Sequence, residues 1–245
     1  TTHLTLGTSG VDLILQPNAA ALTSGFVNGY NPGETWTEQT SGGNHFTGVT
    51  YGNGIFVAVG SAGTILTSPD GSAWTQRTSG ITNAFYGITY GDGTFVAVGE
   101  GGKILTSSDG STWTPRTSGQ NSTLTNVTYA NGKFVTVGNL GIILNSPNGT
   151  TWTPSTSGTT NAFSGITYGD STFVAVGEGG IILTSSDGSA WTPRTSGTTS
   201  FLIGITQANG TFVAVGSAGT ILTSTDGSTW TSMTSGTTNT FSGIT

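Results

Sequence analysis

Two glutamates, Glu100 and Glu178, stand at equivalent places in repeat copies two units apart, each followed by Gly-Gly. A pair of carboxylates is the minimum equipment for glycoside hydrolysis, provided the two lie about 5–9.5 Å apart. Three arginines, Arg77, Arg116 and Arg194, each follow a tryptophan by three residues and could in principle hold an anionic substrate. Equivalent positions in different repeats diverge rather than converge. The glutamates therefore read as solvated turn carboxylates. The arginines, with Pro115, Pro154 and Pro193, read as devices that stop an exposed edge strand from pairing. His3 and His45 are single and stand in no metal-ligand spacing, and cysteine is absent. The Asp-Gly turns are too short for a calcium loop. The expectation is a protein without metal, cofactor or catalytic residues, and not an enzyme.

The elements that position these residues follow from the repeat. All six tryptophans, Trp36, Trp74, Trp113, Trp152, Trp191 and Trp230, recur at intervals of 38 and then 39 residues. A period of that length marks a solenoid, propeller or array. The clearest copy is Phe163 to Thr192, FSGITYGDSTFVAVGEGGIILTSSDGSAWT. It divides into four short strands: Phe163–Tyr168, Phe173–Val176, Ile181–Thr184 and one containing Ala190-Trp191-Thr192. The turns Gly169-Asp170, Gly177–Gly180 and Asp187-Gly188 separate them, the last a strong hairpin signal because glycine accepts positive φ. The run Phe-Val-Ala-Val is apolar on both alternating faces, as a sheet packed between two copies of itself requires. Glycine at the middle of the first strand (Gly48, Gly87, Gly165, Gly204 and Gly243, with Asn126 the exception) permits close approach around a central axis.

Phase decides between an open and a closed array. The first strand occurs six times, beginning at Phe46, Phe85, Leu124, Phe163, Leu202 and Phe241, but only five copies continue into strands two to four. Residues 1–36 resemble the missing part: His3–Gly7 matches the second strand, Gly10–Gln16 the third, and Glu34-Thr35-Trp36 ends the fourth. The sequence thus predicts an all-β, six-bladed β-propeller of four-stranded antiparallel blades. Its last blade would be closed by N-terminal strands two to four and C-terminal strand one. The single domain spans 1–245: a closing segment at 1–36 with an insertion at 17–33, five repeats over 37–230, and a first strand within 231–245. An open solenoid would need caps instead. Closure between neighbouring molecules, giving a filament or swapped oligomer, also fits.

The turns Ser68-Pro-Asp70-Gly-Ser-Ala-Trp74, Ser107-Ser-Asp109-Gly-Ser-Thr-Trp113, Ser185-Ser-Asp187-Gly-Ser-Ala-Trp191 and Ser224-Thr-Asp226-Gly-Ser-Thr-Trp230 resemble Asp-box (BNR) repeats of sialidase-like β-propellers. Ser146-Pro-Asn148-Gly-Thr-Thr-Trp152 is a weaker copy, and every copy is one residue shorter between Asp and Trp than the usual pattern. The wider repeat is similar to those of bacterial secreted and cell-surface propellers. The resemblance implies a structural role for these Asp, Asn and Trp residues, the carboxylate bonding turn amides and the aromatic packing between blades. Sialidases of this architecture use converging arginines, a Tyr–Glu pair and an acid, which the repeat-equivalent arginines here do not supply.

Composition narrows the function further. Charged residues make up only 7%, with five Lys+Arg against eleven Asp+Glu, which excludes the basic footprint of a nucleic-acid binder. No apolar run approaches the length of a membrane span. A Ser/Thr/Gly/Asn-rich, Lys-poor chain that begins at Thr1 leans toward a processed or excised extracellular or cell-surface protein. The expected function is a non-enzymatic module for surface adhesion, assembly or protein–protein interaction, its partner another protein or its own neighbours. A multivalent lectin-like propeller is the alternative, with glycoside hydrolysis behind it. Candidate binding residues lie in the turns on one face: Asn83, Glu100, Asn121, Asn139, Asn161 and Glu178.

Overall fold

The computed structural model describes residues 45–245. They form five four-stranded antiparallel sheets, each a meander in chain order. Blade 1 comprises β1 (Phe46–Gly52), β2 (Ile55–Gly60), β3 (Ile65–Ser68) and β4 (Thr75–Arg77); blade 2, β5 (Phe85–Gly91), β6 (Thr94–Gly99), β7 (Ile104–Ser107) and β8 (Thr114–Arg116). Blade 3 comprises β9 (Leu124–Ala130), β10 (Lys133–Gly138), β11 (Ile143–Ser146) and β12 (Thr153–Ser155). Blade 4 follows with β13 (Phe163–Gly169), β14 (Thr172–Gly177), β15 (Ile182–Ser185) and β16 (Thr192–Arg194). Blade 5 has β17 (Leu202–Ala208), β18 (Thr211–Gly216), β19 (Ile221–Ser224) and β20 (Thr231–Met233). A single 3-10 turn joins the second and third strands of every blade, as at Glu100–Gly102.

The first hairpin of each blade turns on two residues of positive φ, which matches the twist of the flanking strands. Asn53-Gly54, Asp92-Gly93, Asn131-Gly132 and Asn209-Gly210 supply them cheaply; blade 4 uses Asp170-Ser171, with Ser171 held at φ 61.

Successive innermost strands β1, β5, β9, β13 and β17 pack side by side, and no comparable packing joins β17 back to β1. The glycines expected at these strands' centres make that approach possible: a Cβ on Gly87 would lie 3.0 Å from Asn126 Cα. The core lies between blades. Val57, Val59 and Ile65 of blade 1 meet Phe85, Phe95, Ala97, Leu105 and Trp113 of blade 2. The same arrangement recurs at the three following interfaces. A bulge follows the first residue of each innermost strand, and the bulged Thr47 and Thr125 donate their hydroxyls to Phe85 O (2.6 Å) and Phe163 O (2.8 Å) of the next blade. A bulge that aims a side chain outward thus becomes a stitch between sheets.

Three expectations need correction. The described residues hold five four-stranded sheets, not six. Residues 241–245 lie beside β17 but carry no strand; the expected closing segment 1–36 and its 17–33 insertion lie outside the described residues. The tryptophans precede the fourth strand rather than belong to it: β16 starts at Thr192, after Trp191 has turned back to bond its own turn.

Candidate functional site

The most regular polar structure is the Ser-x-Asp-Gly-x-x-Trp turn between third and fourth strands. Asp109 Oδ1 accepts hydrogen bonds from the amides of Ser111 and Thr112, both at 2.8 Å, and from Ser107 Oγ at 2.9 Å. Ser107 Oγ in turn accepts from Gly110 N at 2.8 Å, and Trp113 Nε1–H donates to Gly110 O at 2.9 Å. Charge-assisted bonds from the Thr112 and Ser111 amides hold the Asp109 carboxyl at about 2. The Thr229 and Ser228 amides do the same for Asp226, also at about 2. Asp70 and Asp187 are lowered too, led by Ser72 and Ser189 respectively. Asn148 Oδ1 makes the amide bonds without the charge, to Thr150 and Thr151. Trp74, Trp152, Trp191 and Trp230 repeat the indole bond to a turn glycine. The turn also reaches the preceding blade, since a Cβ on Gly110 would lie 2.7 Å from Ile55 Cδ1.

The opposite face carries the six candidate binding residues. There the 3-10 turn of each blade is clamped to the residue that leads into its own first strand. Glu100 N–H donates to Ala84 O (2.8 Å) while its Oε2 accepts from Ala84 N (3.3 Å); Glu178 makes the same pair with Ala162 at 2.8 and 3.2 Å. Ser61 and Ser217 close the clamp with a hydroxyl, to His45 and Phe201. Asn139 N–H donates to Thr123 O at 2.9 Å. Asn161 Nδ2 donates to Glu178 O at 3.0 Å, and Asn83 lies over Gly101. Asn121 is exposed in the loop before Thr123. The structure joins Glu100 with Ala84, and Glu178 with Asn161, inside single blades. It does not bring the two glutamates together as a pair.

Each arginine is occupied on its own blade. Arg77, Arg116 and Arg194 donate Nε–H to Thr67, Thr106 and Thr184 at 2.8–2.9 Å. Blade 3 replaces both partners, with Asn145 Nδ2 donating to Ser155 Oγ at 2.9 Å. Among the described residues no three His, Asp or Glu side chains gather as a metal site.

At a few places the repeat is broken by bulk. Leu140 occupies the centre of blade 3's 3-10 turn at φ 56, where the other copies have Ala or Gly, and it is 65% exposed. A branched side chain rarely sits at positive φ unless something retains it. Beside it an open groove of about 650 Å³ runs along blade 3, lined by Gln120, Leu140, Ile142, Pro154, Ser155 and Thr160 among others. Tyr86 and Phe201 are further exposed aromatics at positions that carry small residues, or His45, in most other copies. For Leu140 the sequence carries the signal, since the equivalent positions hold Ala62, Gly101, Gly179 and Ala218.

These features, five stacked four-stranded blades around side-by-side inner strands, define a β-propeller. No protein-family model matches the chain, and no curated protein matches it by sequence. Solved structures do match. A structure described as YCF48 bound to D1 peptide superposes with a TM-score of 0.60 at 20% identity, over 75% of this chain and 64% of that one. YCF48 from Cyanidioschyzon merolae gives a TM-score of 0.60 at 17% identity, over 82% of this chain and 75% of that chain. At these identities the likeness concerns the fold.

Proposed function

We propose that this protein is a non-enzymatic propeller module that binds another protein, as an adhesion or assembly element at a cell surface or outside the cell. The carrying observation is Leu140, an exposed leucine held at positive φ at the lip of the blade 3 groove. Leucine there costs backbone strain and leaves apolar surface in water, two penalties that a binding contact would offset. The polar groups that a hydrolase would need are engaged in the blades' own turns and edges. The neighbour with a bound peptide supports the reading, because it places peptide binding on the same architecture. The Ser/Thr/Gly/Asn-rich, Lys-poor composition supports the extracellular setting. The Ser-x-Asp-Gly-x-x-Trp turns are read as shortened Asp-box (BNR) repeats with a structural role, and the body of the module as a ring of six blades.

The test is a peptide-array screen run with the wild-type protein and Leu140→Gly side by side. Peptides that bind the wild type and lose tenfold or more in affinity with Leu140→Gly support the proposal. Binding of several sugars per chain on a glycan array, indifferent to Leu140, would replace it with the lectin reading. Hydrolysis of a sialoside that Glu100→Gln abolishes would make the protein an enzyme.

A further inference from the structure

Among the described residues, the outermost strand of each blade (β4, β8, β12, β16 and β20) has a neighbour on one side only, and its free edge is a template for a further strand. Each is three residues long and pairs in one register, with its middle residue opposite a leucine. Gln76 faces Leu66, Pro115 faces Leu105, Pro154 faces Leu144, Pro193 faces Leu183 and Ser232 faces Leu222. Proline has no N–H to give to the ladder. The bonds to the third strand therefore come from the residues on either side of it, and the middle residue turns its backbone polar groups outward.

Two devices blunt these edges. In blades 2 to 4 proline removes the outward donor, and in blades 1, 2 and 4 an arginine (Arg77, Arg116 or Arg194) follows the middle residue. Blade 5 has neither. Its edge reads Thr231-Ser232-Met233, all three residues exposed, with an outward N–H at Ser232 and no charge.

We propose that β20 is a self-association edge, through which two copies of the chain pair antiparallel about a two-fold axis at Ser232. The axis makes the two copies of Ser232 a hydrogen-bonded pair, each N–H donating to the other's C=O. It sets Thr231 of one copy opposite Met233 of the other, a β-branched residue against an apolar one with no like charges facing. A second copy is the occupant that the other edges are built against. The same axis at blades 2 to 4 would lack both central donors at once, and at blade 1 it would bring two Arg77 side chains to one seam. Three residues a side make a small contact, of the weak and transient kind. The edge belongs to blade 5 and the Leu140 groove to blade 3, so either contact can fail without the other.

Sedimentation equilibrium of the full chain from micromolar to millimolar concentration reads this, with Ser232→Pro beside the wild type. Pro115, Pro154 and Pro193 already stand at the same register position, so the fold accepts the substitution. The wild type should move from monomer towards dimer mass as concentration rises. Ser232→Pro should shift that transition at least tenfold upward with an unchanged melting temperature. A wild type that stays monomeric at every concentration, or a dimer that forms equally well in Ser232→Pro, overturns the proposal. Should Ser232→Pro not fold, Ser232→Cys decides. The chain has no cysteine, and the Cα atoms of a hydrogen-bonded pair lie about 5.5 Å apart, within disulfide reach. Mild oxidation should link Ser232→Cys into dimers at least tenfold faster than Gln76→Cys, whose edge keeps Arg77. Equal rates would mean random collision and overturn the pairing.

Discussion

The ring of Tyr90 lies across Gly52 of the preceding blade, so close that a Cβ on that glycine would fall 2.1 Å from Tyr90 Cγ. The relationship recurs between Tyr129 and Gly91, and Gln207 takes the aromatic's place over Gly169. An aromatic seated on a bare backbone position fixes the spacing of neighbouring blades where their innermost strands end.

Gly52→Ala should therefore destabilise the protein by about 1–3 kcal/mol through overpacking. A chemical-denaturation midpoint measures it. A midpoint unchanged from wild type would mean that Tyr90 moves aside freely.

Acid should loosen the turns that Asp109 and Asp226 organise. Both carboxyls are lowered to about 2 by turn amides, against about 3.9 in an unfolded chain. A carboxyl whose folded value is depressed contributes stability that is present above the unfolded value and lost as pH falls through the folded one. Stability should accordingly drop between about pH 4 and pH 2. Asp109→Asn, which copies the native Asn148, should flatten part of that drop while the near-neutral melting temperature stays close to wild type.

The turn at Asp170-Ser171 holds a serine where four other blades place glycine. Ser171→Gly should raise stability by up to about 1 kcal/mol by relieving the left-handed conformation, partly offset by the greater freedom of glycine in the unfolded chain. Calorimetric melting at one protein concentration reads this. A fall would mean that Ser171 makes a contact worth more than its strain.

Leu140→Gly separates function from fold. The other copies carry Ala or Gly at the same left-handed position, so the substitution should leave the melting temperature equal or higher. Binding to peptide should fall tenfold or more. A matched loss of stability and binding would assign Leu140 to the fold alone.

Much of this architecture was legible in the sequence, because each blade repeats one solution. Gly48 and Gly87 signalled the close approach of inner strands, and the Asp-Gly-x-x-Trp spacing signalled a tight turn. Ser107 drew no notice, although its buried hydroxyl both supports Asp109 and accepts from Gly110 N. Glu100 was read as a solvated carboxylate, yet it clamps the Ala84 amide. Ser61, Glu100, Glu178 and Ser217 share an accepting side chain rather than a charge, which only the hydrogen-bond partner makes plain. The groove beside Leu140 was not legible, because it depends on how loops of two blades meet.

The ring of blades is the central reading of the fold, and hydrogen exchange of the unmodified chain tests it most directly. In a closed ring the amides of Phe241–Thr245, which lie beside β17, should be protected to a degree comparable with β17, at protein concentrations where the chain is monomeric by light scattering. Exchange of Phe241–Thr245 at the rate of an unstructured peptide, with β17 still protected, would contradict it.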